Sequence, residues 1–443
     1  MRILLIQAYL GRREKPIYPL GLAYLSAMLK DYEIQVIDPN ILNDPLGDLR
    51  KVIIAFQPEI IGISLRNMDT TQIRDPFVYL SGFSATLEVV KQSAPQAFII
   101  AGGSGFSMFA RELMNRFPQI DCGTYLEGEY TLPELAAKFP DLEDVKGVFI
   151  RRDGETVFNG VREFPVLDEL PFPDWENVPV EPYKHLLDAV GVQTKRGCGL
   201  KCAYCSYPFL NGDYYRYRPP ESVGEEVERL VKDYGVERFI FVDSVFNIPR
   251  KHAELVLREI IMRKIEVKWT GWYNERAMDR GFTELALEAG CELFSFSPDG
   301  FSDAALKALG KNLRKDDILR VFEMMKDYPQ AIVSYNFFLN PPGQTLSDLL
   351  KLLWFSVKVR LAFRGRLCGF LLGSIRIEPD TAIFKRAVEE GFISEDTPML
   401  VSNRDELLKL FYKPPKSGSL NLLLKLYIAL RNIRHTLMPP KEL

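Results

Sequence analysis

Five times in its first third the chain passes from a short unbroken apolar stretch into a segment of helical length. That alternation restricts the fold more than any other feature. The apolar stretches are residues 2–7, 33–38, 60–65, 98–101 and 122–126, and helical patterns at 19–30, 44–56, 86–93 and 107–117 separate them. A strand that is apolar at every position is buried on both faces, so it belongs to a parallel sheet with helices on each side. Residues 1–140 are therefore expected to form a doubly wound α/β domain. Ligands of such sheets bind outside the carboxyl ends of the strands, which here are the loops 8–15, 66–75, 102–106 and 127–131.

The alternation resumes after an interruption. Strand-like runs at 191–194, 238–243, 267–272, 292–296, 331–339 and a last one ending near 376 alternate with helical segments, giving six β/α repeats over 191–380. In parallel α/β barrels, chemistry sits on the loops at the C-terminal strand ends, which places residues 197–207, 243–244, 273–275, 297–299 and 340–343 on one rim. The interruption, 141–190, reads as a connector. It holds a β-hairpin at 148–158 turning on Asp153-Gly154, then an extended linker at 167–182 whose Pro171, Pro173, Pro179 and Pro182 disfavour helix and central strand. Residues 381–443 read as a small, mostly helical region. Its stretch 420–437 is apolar apart from Lys425, Arg431 and Arg434, and is expected to pack as a terminal helix over the barrel rather than lie on a membrane.

The first loop of the second half carries Cys198, Cys202 and Cys205 in a C-x3-C-x2-C array. Cysteines that bind a metal cluster sit two to four residues apart, and three ligands leave a coordination position for a reactant, as catalytic metal sites do. A structural zinc site would need a fourth ligand, and apart from His252 no Cys or His follows within eighty residues. The array, with aromatic Tyr204 before its last cysteine, resembles the signature of radical S-adenosylmethionine (SAM) enzymes. The resemblance implies a [4Fe-4S] cluster on Cys198, Cys202 and Cys205, SAM on the open iron, and a partial (β/α)6 barrel. It also implies roles along the rim: Tyr204 near the adenine, Asp243 toward the SAM amino group, Ser297 and Asp299 toward its carboxylate or ribose, and Asn340 near the adenine. A strand-end Asp or Ser also serves simply as a helix N-cap.

A second resemblance lies upstream. The segments ILLIQAYL, YPLGLAYLSAML, IGIS, IIAGGSGFS and YLEGEYTLPEL, in that order, are similar to the cobalamin-binding domain fused ahead of many radical SAM barrels. The resemblance assigns Gly102, Gly103, Ser104, Glu127, Gly128 and Glu129 to the corrinoid, and glycine at 102–103 would let backbone approach a bulky ligand. One departure is plain. The three histidines are His185, His252 and His435, so the D-x-H-x-x-G motif that supplies an axial His in many cobalamin proteins is absent. Arg66 falls where the lower corrin face is expected, and a guanidinium has no lone pair to offer cobalt. Its alternative is an ion pair with Asp69 or Asp75.

The two resemblances together imply a cobalamin-dependent radical SAM methyltransferase. A deoxyadenosyl radical would activate an inert carbon (or phosphorus) centre that then takes a methyl group from cobalamin; with Arg66 under cobalt, a polar route would replace the radical one. The alternatives are a non-methylating cyclase or rearrangement enzyme and, in another class, a cobalamin sensor or carrier with a degenerate barrel. An electron donor such as flavodoxin or ferredoxin is implied, with a small-molecule, lipid or peptide substrate. A net charge of −3 gives no global attraction to nucleic acid. The absence of a leader or an eighteen-residue apolar run points to the cytoplasm, where thiols stay reduced.

Overall fold

The structure, a computed structural model, describes residues 1–186 and 188–414; the apolar stretch 420–437 lies outside the described residues. Five parallel strands form the first sheet: β1 (Arg2–Gln7), β2 (Glu33–Ile37), β3 (Ile60–Ser64), β4 (Phe98–Gly102) and β5 (Cys122–Thr124). Ile3, Leu4, Leu5 and Ile6 of β1 are all buried, as an unbroken apolar run requires. The hairpin β6 (Val148–Arg152) and β7 (Glu155–Phe158) forms as expected, and β6 pairs antiparallel with β5. The order is β2-β1-β3-β4-β5-β6-β7. It reverses at β1, which opens the ligand-binding crevice at the carboxyl ends of β1 and β3.

The second sheet is six-stranded and wholly parallel, in the order β15-β14-β13-β12-β11-β8. Its strands are β8 (Gly191–Val192), β11 (Arg238–Phe241), β12 (Lys268–Tyr273), β13 (Cys291–Asp299), β14 (Ile332–Phe338) and β15 (Leu367–Gly373). β8 and β15 each pair on one side only, so the sheet is an open, partial barrel. Between β8 and β11 the chain adds an antiparallel ribbon of β9 (Lys195–Arg196) and β10 (Arg216–Tyr217), which flanks the cysteine loop. The N-caps explain several helix starts: Asp44 accepts from Gly47 N–H and is followed by Pro45, and Thr345 and Asp348 form a reciprocal capping box.

Two segments that read as peripheral are built into the core. In the proline-rich linker, Trp175, Val178, Val180 and Tyr183 are buried among barrel residues, and the Tyr183 hydroxyl donates to Asp38 at 2.8 Å. Val401, Leu407, Leu410 and Phe411 return to the first domain and join its core. A buried ion pair, Arg376 to Asp69 at 3.1 Å, ties the end of the barrel to the loop after β3. The two sheets therefore face each other across a cleft closed from several sides. Among the described residues no helix is long and apolar enough to cross a membrane.

Candidate active site between the two sheets

The cysteine loop is fixed first by its backbone. Gly197 has φ +83°, and a Cβ there would collide with the Tyr214 carbonyl, so only glycine fits before Cys198. Cys198 N–H donates to the Gly212 carbonyl at 3.0 Å, and Ala203 N–H to that of Leu309 at 2.8 Å, while the Ala203 carbonyl accepts from Ile383 N–H at 2.7 Å. Cys198 is buried; Cys202 and Cys205 are half-buried. Burial pushes the Cys205 thiol up to about 11, opposed by the Tyr207 N–H, and neighbouring Cys198 and Cys202 add to the rise. Burial also raises Cys202, which Lys311 opposes. Three thiols that repel one another's ionisation are close neighbours, and metal ligation is what deprotonates such thiols outright. His252 Nε2 sits 3.2 Å from the Thr194 carbonyl. Among the described residues no three Cys, His, Asp or Glu side chains converge as a single ion would need. Three cysteines in this spacing are a donor set that a cluster with one open iron would take.

Beside the loop, Tyr204, Asp299 and a residue that the sequence reading missed, Lys311, form a buried triad. The Tyr204 hydroxyl donates to Asp299 Oδ2; Lys311 Nζ pairs with the same oxygen at 2.5 Å and lies 3.3 Å from the Tyr204 hydroxyl. Burial disfavours the Lys311 ammonium, but Asp299 overrides this and holds its pKa well above the ordinary lysine value. Asp299 has φ +65° and ends β13, which runs through Ser297 rather than stopping at residue 296. The Ser297 hydroxyl accepts from Asn336 Nδ2 at 3.1 Å. Asn340 is buried, donates from Nδ2 to the Tyr412 carbonyl at 2.9 Å, and leaves its Oδ1 without a partner among the described residues, as does Asn336. Orphaned buried acceptors of this kind call for a donor, and a ligand with amine and hydroxyl groups provides donors.

Asp243 is committed differently. Its Oδ1 accepts from Thr194 N–H at 2.9 Å and Lys195 N–H at 3.4 Å; its Oδ2 accepts from the Thr194 hydroxyl at 2.5 Å and pairs with buried Lys195 Nζ at 2.6 Å. Both oxygens thus hold the end of β8 and the start of the cysteine loop. The aromatic residues divide in the same way: Trp269 and Tyr273 are core, whereas the Tyr215 hydroxyl lies 4.0 Å from Cys198 Sγ.

On the other side of the cleft, Arg66, Gly102, Gly103, Ser104, Glu127, Gly128 and Glu129 all line one cavity of about 570 Å3. Its far wall comes from the barrel and includes Gln193, Arg196, Tyr207 and Leu210. The glycine pair is required by packing as well: a Cβ at Gly102 would strike Thr124 Oγ1, and one at Gly103, which has φ +96°, would come within 2.7 Å of the Leu65 carbonyl. Glu127 and Glu129 reach across the cleft. Arg196 Nη1 pairs with Glu127 Oε2 at 2.8 Å and Glu129 Oε1 at 2.7 Å, and Arg216 grips both oxygens of Glu127. Arg218 pairs with buried Glu226.

Arg66 lines this cavity and two adjoining ones, of about 520 and 140 Å3. Neither acid offered by the sequence holds it: Asp69 pairs with Arg376 and Asp75 with Arg12. The Arg66 carbonyl accepts from the Ser104 hydroxyl at 2.7 Å, but its guanidinium makes no hydrogen bond or ion pair among the described residues, and burial lowers its pKa. The smallest cavity joins Arg66 and Ser104 to Ser206, next to Cys205, and to Glu378, a carboxyl that burial pushes up to about 7 against the pull of Arg376.

Comparison with known proteins matches both halves. Residues 6–136 fit the B12 binding domain model, and residues 192–355 the Radical SAM superfamily model. An uncharacterised methyltransferase from Pyrococcus horikoshii is 25% identical over 358 residues, 78% of this chain and 74% of the relative. The anaerobic magnesium-protoporphyrin IX monomethyl ester cyclase of Rubrivivax gelatinosus is 26% identical over 75% of the chain, which spans 61% of that protein's length. Among solved structures, the radical SAM methyltransferase TsrM from Kitasatospora setae, with tryptophan and a SAM analogue bound, superposes with TM-score 0.76 at 21% identity, over 88% of this chain and 76% of that one. At that identity the superposition shows the fold.

Proposed function

The chain is a radical SAM enzyme with a cobalamin-binding domain ahead of its barrel, and from that premise we propose that it transfers a methyl group from a corrinoid to an unactivated carbon or phosphorus centre. The observation that carries this reading is the shared cleft. One cavity is lined both by the loops matched to a corrinoid and by residues flanking the cysteine array, so a substrate between them would face both cofactors.

When bound, a corrinoid would supply the methyl group and a cluster with SAM the radical that activates the substrate. The chain's own residues bind, orient and enclose. Cys198, Cys202 and Cys205 hold the cluster, which needs a one-electron donor. Tyr204, Asp299 and Lys311 present a fixed charge and hydroxyl beside it, and Asn336 and Asn340 offer free acceptor oxygens. Asp243 positions the loop through Lys195. Arg66, unpaired in the cleft, offers no lone pair to a metal. Glu378 is placed to hold a proton at the cavity between Ser206 and Arg66. The likeness to a cyclase keeps a non-methylating reaction as the second reading.

Anaerobically reconstituted protein with SAM and reductant distinguishes these. Radical methyl transfer yields S-adenosylhomocysteine together with 5′-deoxyadenosine, and polar methyl transfer S-adenosylhomocysteine alone; a cyclase yields deoxyadenosine alone; a carrier yields neither. If Cys202→Ala retained full deoxyadenosine formation, the assignment of the cluster to Cys198, Cys202 and Cys205 would fall.

A further inference from the structure

The four-residue ion network across the cleft joins parts that are remote in sequence and belong to different cofactors. Glu127 and Glu129 follow β5 and line the corrinoid cavity; Arg196 and Arg216 are directly opposite each other in the β9–β10 ribbon. The four side chains are only 6–10% exposed. The same ribbon holds the first cysteine. Arg196 is two residues before Cys198, the Cys198 N–H donates to Gly212, and Arg216 Nη2 donates to the Asn211 carbonyl at 3.0 Å.

We propose that Arg196 is a positioning residue through which corrinoid occupancy of the cavity and cluster occupancy of the cysteine loop strengthen one another. The inference rests on the two-cofactor reading above. A buried guanidinium and carboxylate stay in place only while paired, because an unpartnered buried charge is costly. A corrinoid in the cavity displaces water from these pairs, which strengthens them, and fixes the 127–129 loop. The fixed carboxylates hold Arg196, and Arg196 holds the backbone that presents Cys198. Run in reverse, cluster assembly fixes Cys198 and hence Arg196, and so orders the cavity wall before the corrinoid arrives. Binding couplings are reciprocal by thermodynamic necessity.

The test is a hydroxocobalamin titration, followed by absorbance, of the full chain with and without its reconstituted cluster. The cluster-loaded protein binds at least about fivefold more tightly, the lower end of ordinary allosteric couplings. Arg196→Lys keeps the charge but loses the fork that grips two carboxylates; its two affinities converge toward a ratio of one while both cofactors still load. Should that variant fail to fold, Glu129→Gln removes one of the two carboxylates on Arg196 and moves the ratio part of the way toward one. Equal wild-type affinities in the two states overturn the coupling alone, and so does a ratio that persists in the variants. Absence of hydroxocobalamin binding in both states removes the two-cofactor reading with it.

Discussion

Glu275 is a costly carboxyl in the barrel, and replacing it with glutamine should stabilise the protein. It sits in the turn after β12, fully buried, and neither carboxyl oxygen has a partner among the described residues. Burial pushes its pKa to about 8 from an ordinary 4.5, against the opposing pull of its own N–H and of Lys311. For an acid shifted this way the folded state holds the proton longer. Its contribution is fully present below pH 4.5 and is lost as pH rises to 8, because the unfolded chain releases the proton first. The full loss is about 5 kcal/mol at 1.36 kcal/mol per pKa unit, of which about 2 kcal/mol falls between pH 6 and 8. Glu275→Gln keeps the shape and removes the titration. The thermal midpoint of wild type should fall by several degrees more than that of the variant between pH 6 and 8. Identical pH slopes, or a variant less stable than wild type at pH 8, would refute the reasoning.

Four further outcomes follow from the site. Asp243→Asn strands buried Lys195 and costs about 3–5 kcal/mol, visible as a lower midpoint whether or not SAM is present; pairing it with Lys195→Met recovers part of the loss. Arg66→Ala, which breaks no bond within the fold, should change stability by no more than about 0.5 kcal/mol while altering the visible spectrum of bound cobalamin; a drop of many degrees would mean the side chain has a structural partner. Lys311→Met leaves Asp299 charged and unpaired, so it should lower both stability and iron content. Tyr204→Phe keeps the Asp299–Lys311 pair and should cost only about 1 kcal/mol, one ordinary hydrogen bond.

Periodicity and loop order made much of this architecture readable in advance. Unbroken apolar runs announced buried parallel strands, and the loops that follow such strands must share one end of the sheet. That is why seven positions chosen from sequence line one cavity. Partnerships were not readable. Arg216 and Glu127 are 89 residues apart, and Arg376 and Asp69 are 307 apart; nothing local in either segment announces the other. Asp243 was correctly placed at a strand end, but its occupation by Lys195 and Thr194 depends on how β8 closes against β11. Lys311 carries no motif, and only the fold brings it from the turn after residues 303–308 to Tyr204. The prolines of the linker signalled extended chain, yet Trp175, Val178 and Tyr183 beside them were the better guide to burial.

The most direct measurement of the central claim is electron paramagnetic resonance on protein carrying both the reduced cluster and cob(II)alamin. If the two cofactors face each other across the cleft, their signals are magnetically coupled, and the cluster spectrum is broadened and relaxes differently from that of cobalamin-free protein. A spectrum equal to the sum of the two isolated signals would contradict the account.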